Sequence, residues 1–98
     1  MDSKKLANYL QKNFNFFSGV PDSLLSKLTK RLNSKKIKHF IAANEGSAIA
    51  HGIGYYLAKK KVPCVYFQNS GLGNAINPLI SIAHKKVYSI PLFLIIGW

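Results

Sequence analysis

Glu45 is the side chain in this sequence best placed for acid–base chemistry. It is the only glutamate among 98 residues, which hold three acidic side chains against fourteen Lys and Arg. The apolar run 40–43 precedes it and small residues follow, so a strand is predicted to end before it and a helix to begin with it. A carboxylate in the first turn of a helix gains about 0.3–1 kcal/mol from the helix dipole. Apolar neighbours would also desolvate it, as functional carboxylates require. These residues alone leave helix cap and catalyst equally open.

A glycine-rich stretch at 71–73 half-matches the fingerprint of dinucleotide-binding loops. Ile76 stands where the third glycine belongs, and no acidic residue follows to bind a ribose, which argues against such a site. The loop could offer backbone N–H groups to an anion at a helix start, or its glycines could only make the turn. The sequence does not choose between these two roles.

The three histidines and the single cysteine do not form a metal-binding pattern. His39, His51 and His84 lack ligand spacing on one helix, and no second cysteine joins Cys64. We therefore expect no metal ligands in this chain. Cys64 lies in an apolar run, and we expect a buried, unreactive thiol in a reducing compartment.

The net charge of +11 suggests a nucleic-acid or membrane surface, but the positions of the basic residues argue against both. They fall at expected helix ends and loops, and none occurs at 39–56 or 62–83. The apolar run 90–98 is about half a membrane span, and residues 1–13 lack the apolar core of a signal peptide. We expect a cytoplasmic protein without nucleic-acid or membrane partners. A basic, non-enzymatic α/β module that binds nucleic acid is the alternative.

Hydrophobic periodicity and turn signals predict one helix, then three strand–helix units, then a last strand. Apolar strands separated by helices are typical of a parallel sheet with helices on both faces, so the predicted fold class is α/β. Because Gly97 and Trp98 follow the last strand directly, we expect an incomplete sheet in a domain that continues. Helices are predicted at 2–13, from 21 to about 32, at 45–60, and from 74 or 77 to about 86; strands are predicted at 14–20, 38–43, 63–67 and 90–96.

Two glycines interrupt the predicted third helix. Gly52 and Gly54 each cost about 1 kcal/mol relative to alanine in a helix interior. That cost indicates close approach of another group to the helix backbone, and packing of the helix on the sheet would also explain it.

In an open parallel sheet, ligands bind at the carboxyl ends of the strands. The segments that leave the predicted strands in that direction are 18–22, 43–47, 68–73 and 97–98. Three of them carry polar residues and glycines, which a shared site would need.

Three stretches around these segments occur in a distinctive order: FSGVPDSLL at 17–25, ANEGSA at 43–48 and QNSGLGNAINPL at 68–79. Together they resemble the pyrimidine-binding domain of thiamine diphosphate-dependent 2-oxo acid decarboxylases. The likeness is greatest to phosphonopyruvate decarboxylases, with sulfopyruvate decarboxylases second. It extends from about Leu6 to Trp98. The fold that it implies is the thiamine diphosphate-binding fold.

The resemblance implies a role for Glu45. The family's glutamate hydrogen-bonds the pyrimidine ring of thiamine diphosphate, favours its imino tautomer and so promotes loss of a proton from the thiazolium carbon. The residues that would contact the cofactor beside Glu45 are Gly19, Val20, Pro21 and Gly71. The residues that would line the substrate pocket are Asp22, Gln68 and Asn69. For Asp22, a helix cap is the slightly preferred interpretation.

The resemblance also implies a reaction. Residues 1–98 would be the N-terminal part of a carbon–carbon lyase that converts 3-phosphonopyruvate, a small 2-oxo acid, to phosphonoacetaldehyde and carbon dioxide; 3-sulfopyruvate is the alternative substrate. The family's diphosphate and Mg²⁺ are bound by a second domain marked by Gly-Asp-Gly, which this sequence lacks. We therefore expect a chain that is inactive alone and needs that domain, from a homo-oligomer or from a partner subunit.

Overall fold

The structure is a computed structural model that describes residues 2–33 and 38–98. Four parallel strands form one sheet in the order β2-β1-β3-β4, which confirms the predicted α/β class. The elements in chain order are α1 Ser3–Asn13, β1 Phe16–Gly19, α2 Ser26–Leu32, β2 Lys38–Ile41, α3 Glu45–Lys59, β3 Cys64–Gln68, a 3₁₀ turn Asn69–Gly71, α4 Leu72–Pro78, a π-helical turn Leu79–Ala83 and β4 Phe93–Gly97.

Apolar side chains cover both faces of the sheet, as the sequence predicts. On one face α3 and α4 pack over Val65 and Phe67 of β3. On the other face α1 and α2 pack over Phe17 of β1 and Cys64 of β3. Successive residues of a strand point to opposite faces, so β3 serves both clusters, and its first four residues are buried.

The first and third helices begin where the sequence predicts. Asp2 caps α1 by accepting the backbone N–H of Lys4 at 2.9 Å and of Lys5 at 3.3 Å. Asn44 caps α3 by accepting the N–H of Ser47 at 2.9 Å. Glu45 is therefore the first residue of α3, and the residue that caps this helix is Asn44.

The predicted start of the second helix is wrong. It was placed at residues 21–23, but α2 begins at Ser26. Asp22 Oδ1 instead accepts the N–H groups of Leu24 at 2.6 Å and Leu25 at 3.0 Å, which closes a turn ahead of the helix. Short acidic side chains stabilise such turns through the same contacts that cap helices, so the sequence signal is shared.

The predicted limits of the fourth helix are also wrong. Neither Asn74 nor Asn77 caps it: α4 begins at Leu72 and includes Gly73, both of which were predicted to lie in a loop. It ends at Pro78, and a π-helical turn continues only to Ala83, short of residue 86. Pro78 lacks the N–H that would bond to the Asn74 carbonyl, so the last turn of α4 has one hydrogen bond fewer.

The last strand starts three residues later than predicted. β4 begins at Phe93, whose N–H donates to the carbonyl of Pro63 at 3.0 Å. Pro91 has no N–H for the ladder, so the apolar residues ahead of Phe93 pack without joining the sheet.

The two glycines of α3 have different surroundings. A Cβ added at Gly52 would lie 2.9 Å from Val65 Cγ2 and 3.1 Å from Pro63 Cγ, so packing on the sheet accounts for this glycine. A Cβ added at Gly54 would meet nothing within 4 Å. Gly54 instead borders a shallow apolar groove that Phe16, Phe40 and His51 help to line.

We expect opposite effects of alanine at these two positions. Gly52→Ala should destabilise the fold by about 1–3 kcal/mol because the added methyl group overpacks the contact with β3. Gly54→Ala should stabilise it by up to about 1 kcal/mol because alanine favours a helix interior. Urea unfolding of both variants and the parent measures the two changes. Equal shifts in the same direction would contradict the packing described for Gly52.

None of the helices in the described ranges combines the length and the apolar character needed to cross a bilayer. The longest of them, α3, has fifteen residues.

Candidate active site

The carboxyl ends of all four strands lie at one edge of the sheet. Gly19 at the end of β1 pairs with Ile41 at the end of β2, and Gln68 at the end of β3 pairs with Gly97 at the end of β4. The segments expected to share a site therefore leave the sheet side by side.

Glu45 reaches from the end of β2 to the segment that follows β3. Its side chain is half-buried, and Oε2 accepts a hydrogen bond from Asn74 Nδ2 at 2.9 Å. Because β1 lies between β2 and β3 in the sheet, this contact passes over the carboxyl end of β1. The carboxyl group is thus fixed at the centre of the edge.

Gly71 makes room for the Glu45 side chain. A Cβ added at Gly71 would overlap the carboxyl group of Glu45. The sequence left two roles for this glycine, a turn or an anion site. The structure gives it a third: only a residue without a side chain lets the Glu45 carboxyl lie against the backbone of the 3₁₀ turn.

Asn74 contacts the start of α3 through its backbone as well as its side chain. A Cβ added at Gly46 would lie 2.9 Å from the Asn74 carbonyl oxygen. In a regular helix that carbonyl would accept an N–H from the residue four positions later, but this is Pro78, which has none. The Asn74 carbonyl, which lacks this partner, lies next to the start of α3.

Sequence reasoning missed Asn74 as the partner of Glu45. The residue lies inside a stretch that carries the family resemblance, but it was considered only as a helix cap. The two side chains are 29 positions apart, so helical or strand periodicity gives no signal for the contact.

The segment from Gly19 to Asp22 leaves β1 beneath this contact. The backbone at Gly19 and Val20 is bonded to both neighbouring strands: Val20 N–H donates to Tyr66 O at 3.1 Å, and Ala42 N–H donates to Gly19 O at 2.9 Å. Pro21 is exposed. Asp22 is half-buried, and its Oδ2 is buried and has no hydrogen-bond partner among residues 2–33 and 38–98.

Gln68 and Asn69 lie on the neighbouring segment. Gln68 is the last residue of β3, and Asn69 opens the 3₁₀ turn that leads to Gly71. Both side chains are half-buried at the same edge as Glu45. Their predicted role in the substrate pocket stays a prediction.

Residues 3–98 match the sequence model of the family described as thiamine pyrophosphate enzyme, N-terminal TPP binding domain. The chain belongs to this family. The predicted fold is confirmed by a solved structure, benzoylformate decarboxylase from Polynucleobacter necessarius. It aligns with 97% of this chain and 18% of its own at a TM-score of 0.77 and 25% identity.

Curated relatives carry decarboxylase names. Sulfopyruvate decarboxylase subunit alpha from Methanococcus maripaludis is 38% identical over 89 residues, which cover 90% of this chain and 52% of the relative. Phosphonopyruvate decarboxylase from Streptomyces hygroscopicus is 38% identical over 82 residues, which cover 83% of this chain and 20% of the relative. The chain thus spans about half the length of the first relative and a fifth of the second.

The residues around Glu45 fit the pyrimidine side of thiamine pyrophosphate, also called thiamine diphosphate. Gly71 leaves a notch that a Cβ would fill, the Glu45 carboxyl lies in it, and Asn74 holds one oxygen. A half-buried carboxyl group that is held in place at the carboxyl ends of the strands can form a hydrogen bond to a ring nitrogen.

Within residues 2–33 and 38–98, no three His, Cys, Asp or Glu side chains come together as metal ligands. His51 is exposed, and its ring lies 6.0 Å from the ring of Phe40, at the apolar groove beside α3.

Cys64 is a free, buried cysteine, as predicted. Burial raises the pKa of its thiol from 9.0 to about 12. The thiolate is the reactive species, so at neutral pH its fraction falls about a thousandfold.

We expect Cys64 to resist alkylation in the folded protein. Iodoacetamide at pH 7.5 should leave it unmodified over about an hour, and the urea-unfolded chain should react within minutes. Intact-mass spectrometry measures the product. Equal rates in both states would show that Cys64 is accessible in the folded chain.

Proposed function

We propose that this chain supplies the pyrimidine-binding side of the active site in a thiamine diphosphate-dependent 2-oxo acid decarboxylase, with Glu45 as the catalytic acid–base group. The observation that carries the proposal is the Glu45 carboxyl group, held in the Gly71 notch by Asn74 at the carboxyl ends of the strands. Membership of the family supports the cofactor.

The cofactor, when bound, supplies the electron sink that accepts the electron pair released as carbon dioxide leaves. Glu45 would hydrogen-bond the pyrimidine ring nitrogen and would hold or share the proton there. Asn74 donates to Oε2 and so keeps the carboxyl group in one orientation. Gly71 keeps that group against the backbone and limits its motion. The chain therefore contributes position and proton transfer to the reaction.

For the substrate we propose a 2-oxo acid with an anionic group on carbon 3. We place 3-phosphonopyruvate first and 3-sulfopyruvate second. Relatives named for each substrate are 38% identical to this chain, so identity does not rank the two acids. Asp22, Gln68 and Asn69 would border the substrate, since they lie at or just after the carboxyl ends of β1 and β3, which are neighbours in the sheet.

For the diphosphate and Mg²⁺ we propose a second domain. It would come from further residues of the same protein acting as a homo-oligomer, or from a partner subunit. The name "subunit alpha" of one relative supports the second arrangement. On this proposal residues 1–98 form part of a pyrimidine-binding domain and are inactive alone.

The test uses the complete protein that contains this chain, together with any subunit that copurifies with it. With thiamine diphosphate and Mg²⁺, we expect release of carbon dioxide from 3-phosphonopyruvate or 3-sulfopyruvate. Pyruvate, which lacks the anionic group on carbon 3, should react at least about tenfold more slowly, which one lost charge-assisted contact would produce. A preparation without thiamine diphosphate is the control. No carbon dioxide from any 2-oxo acid would overturn the proposal.

A further inference from the structure

Tyr66, His39 and Asn33 form a chain of hydrogen bonds that the proposed role of Glu45 does not use. Tyr66 Oη lies 2.7 Å from His39 Nε2, and His39 Nδ1 lies 3.2 Å from Asn33 Oδ1. An amide oxygen only accepts, so Nδ1–H donates to it, and Nε2 accepts the proton of the Tyr66 hydroxyl. The chain connects β3, β2 and the residue after α2.

The ring of Tyr66 lies flat against Gly19. A Cβ added at Gly19 would meet three ring atoms of Tyr66 at 2.5 Å each. Tyr66 is fully buried, and its carbonyl accepts the N–H of Val20 at 3.1 Å. The ring and the backbone of Tyr66 therefore both contact the polypeptide where it leaves β1.

Asp22, three residues beyond Gly19, lies close enough to Tyr66 to interact with it electrostatically. Burial raises the pKa of Tyr66 to about 12, with Coulombic contributions from Asp22 and Cys64. Asp22 Oδ1 accepts the N–H groups of Leu24 and Leu25, and Oδ2 is buried without a partner in the part of the chain that the structure describes.

We propose that Tyr66, oriented by His39, is a positioning residue for the segment from Gly19 to Asp22 and hence for the substrate-facing carboxyl group of Asp22. The inference rests on the proposed function, which puts Asp22, the last residue of this segment, beside the 2-oxo acid. The hydrogen bond to His39 stops the Tyr66 ring from moving off Gly19. Without it the ring shifts, the segment follows, and the reacting groups lose alignment.

The first test needs no cofactor and no activity. Hydrogen–deuterium exchange is measured by mass spectrometry on the peptide that spans residues 20–25, which holds the Leu24 and Leu25 amides bonded to Asp22. In Tyr66→Phe we expect this peptide to exchange about tenfold faster, the scale of one lost hydrogen bond. Tyr55→Phe is the matched control, because Tyr55 stacks on Phe16 on the α3 side of the sheet. It should leave the peptide unchanged.

The second test is kinetic and uses the complete protein. Tyr66→Phe and His39→Leu should each lower kcat/KM for the 2-oxo acid about tenfold, with a smaller change in affinity for thiamine diphosphate. The double variant should be no worse than either single one, because both remove the same bond. His39→Gln offers an amide oxygen near the position of Nε2, which can accept the hydrogen bond from the Tyr66 hydroxyl. It should restore kcat/KM to within about threefold of the parent, and the remaining loss would reflect a less favourable hydrogen-bond geometry.

The outcomes separate this inference from the proposed function. If Tyr66→Phe matches Tyr55→Phe in both peptide exchange and kcat/KM, the positioning role is overturned. Failure of His39→Gln to do better than His39→Leu would overturn the part assigned to His39. If the complete protein releases no carbon dioxide, the proposed function fails, and the exchange experiment still decides whether Tyr66 holds the segment.

Discussion

The Glu45→Gln variant of the complete protein is expected to release carbon dioxide at least a hundredfold more slowly than the parent. The amide keeps the size of the side chain and can still accept the hydrogen bond from Asn74, but it cannot share a proton with a ring nitrogen. Loss of a general acid–base group costs about 10²–10⁴-fold in rate. Steady-state kinetics at saturating thiamine diphosphate measures the effect.

Asp2→Asn is the matched control for Glu45→Gln. It makes the same carboxylate-to-amide change at the start of another helix, α1, where asparagine also caps well. We expect normal turnover and normal stability. Turnover of Glu45→Gln within a few-fold of this control would remove Glu45 from the proposed mechanism.

The Gly71→Ala variant is expected to lose about a hundredfold in kcat/KM, although residue 71 carries no reactive group. Its methyl group would occupy the place of the Glu45 carboxyl, which must then leave the notch. Displacing a reacting group by about 1 Å has an effect of this size. Overpacking should also lower the free energy of unfolding by about 1–3 kcal/mol.

Gly73→Ala provides the comparison two residues further on. A Cβ added at Gly73 meets nothing within 4 Å, and the residue lies inside α4. Activity should be unchanged and stability higher by up to about 1 kcal/mol. Equal activity of the two variants would show that the Glu45 carboxyl does not depend on the notch at Gly71.

The position of Glu45 could be predicted from the sequence because its signals are local. An apolar run ends just before Glu45, and small residues directly after it allow a helix to begin. Parallel strands then bring the carboxyl ends to one edge. Sequence therefore supports the fold class, the start of α3 and the edge that holds the site.

The contacts of Glu45 could not be predicted because they join distant residues. Asn74 is 29 positions from Glu45, and Tyr66 is 27 positions from His39. A glycine in a sequence also does not show which group occupies the space that a side chain would fill. Gly71 makes room for a carboxyl group and Gly19 for an aromatic ring, whereas Gly54 borders a groove. The predicted start of α2 is wrong for a related reason, since Asp22 uses in a turn the same contacts that would cap a helix.

β2 is an outer strand of the sheet, and its stability is linked to the binding of any ligand at Glu45. Among the strands that the structure describes, β2 pairs only with β1. Three of its four residues are exposed, so it belongs to the part of a sheet that opens at low free energy. A ligand that binds Glu45 only while β2 is closed raises the free energy of that opening by RT ln(1 + [L]/Kd). Occupancy of the site will therefore appear as slower exchange of the β2 amides. The same coupling implies that a change which loosens β2 weakens ligand binding without touching the site.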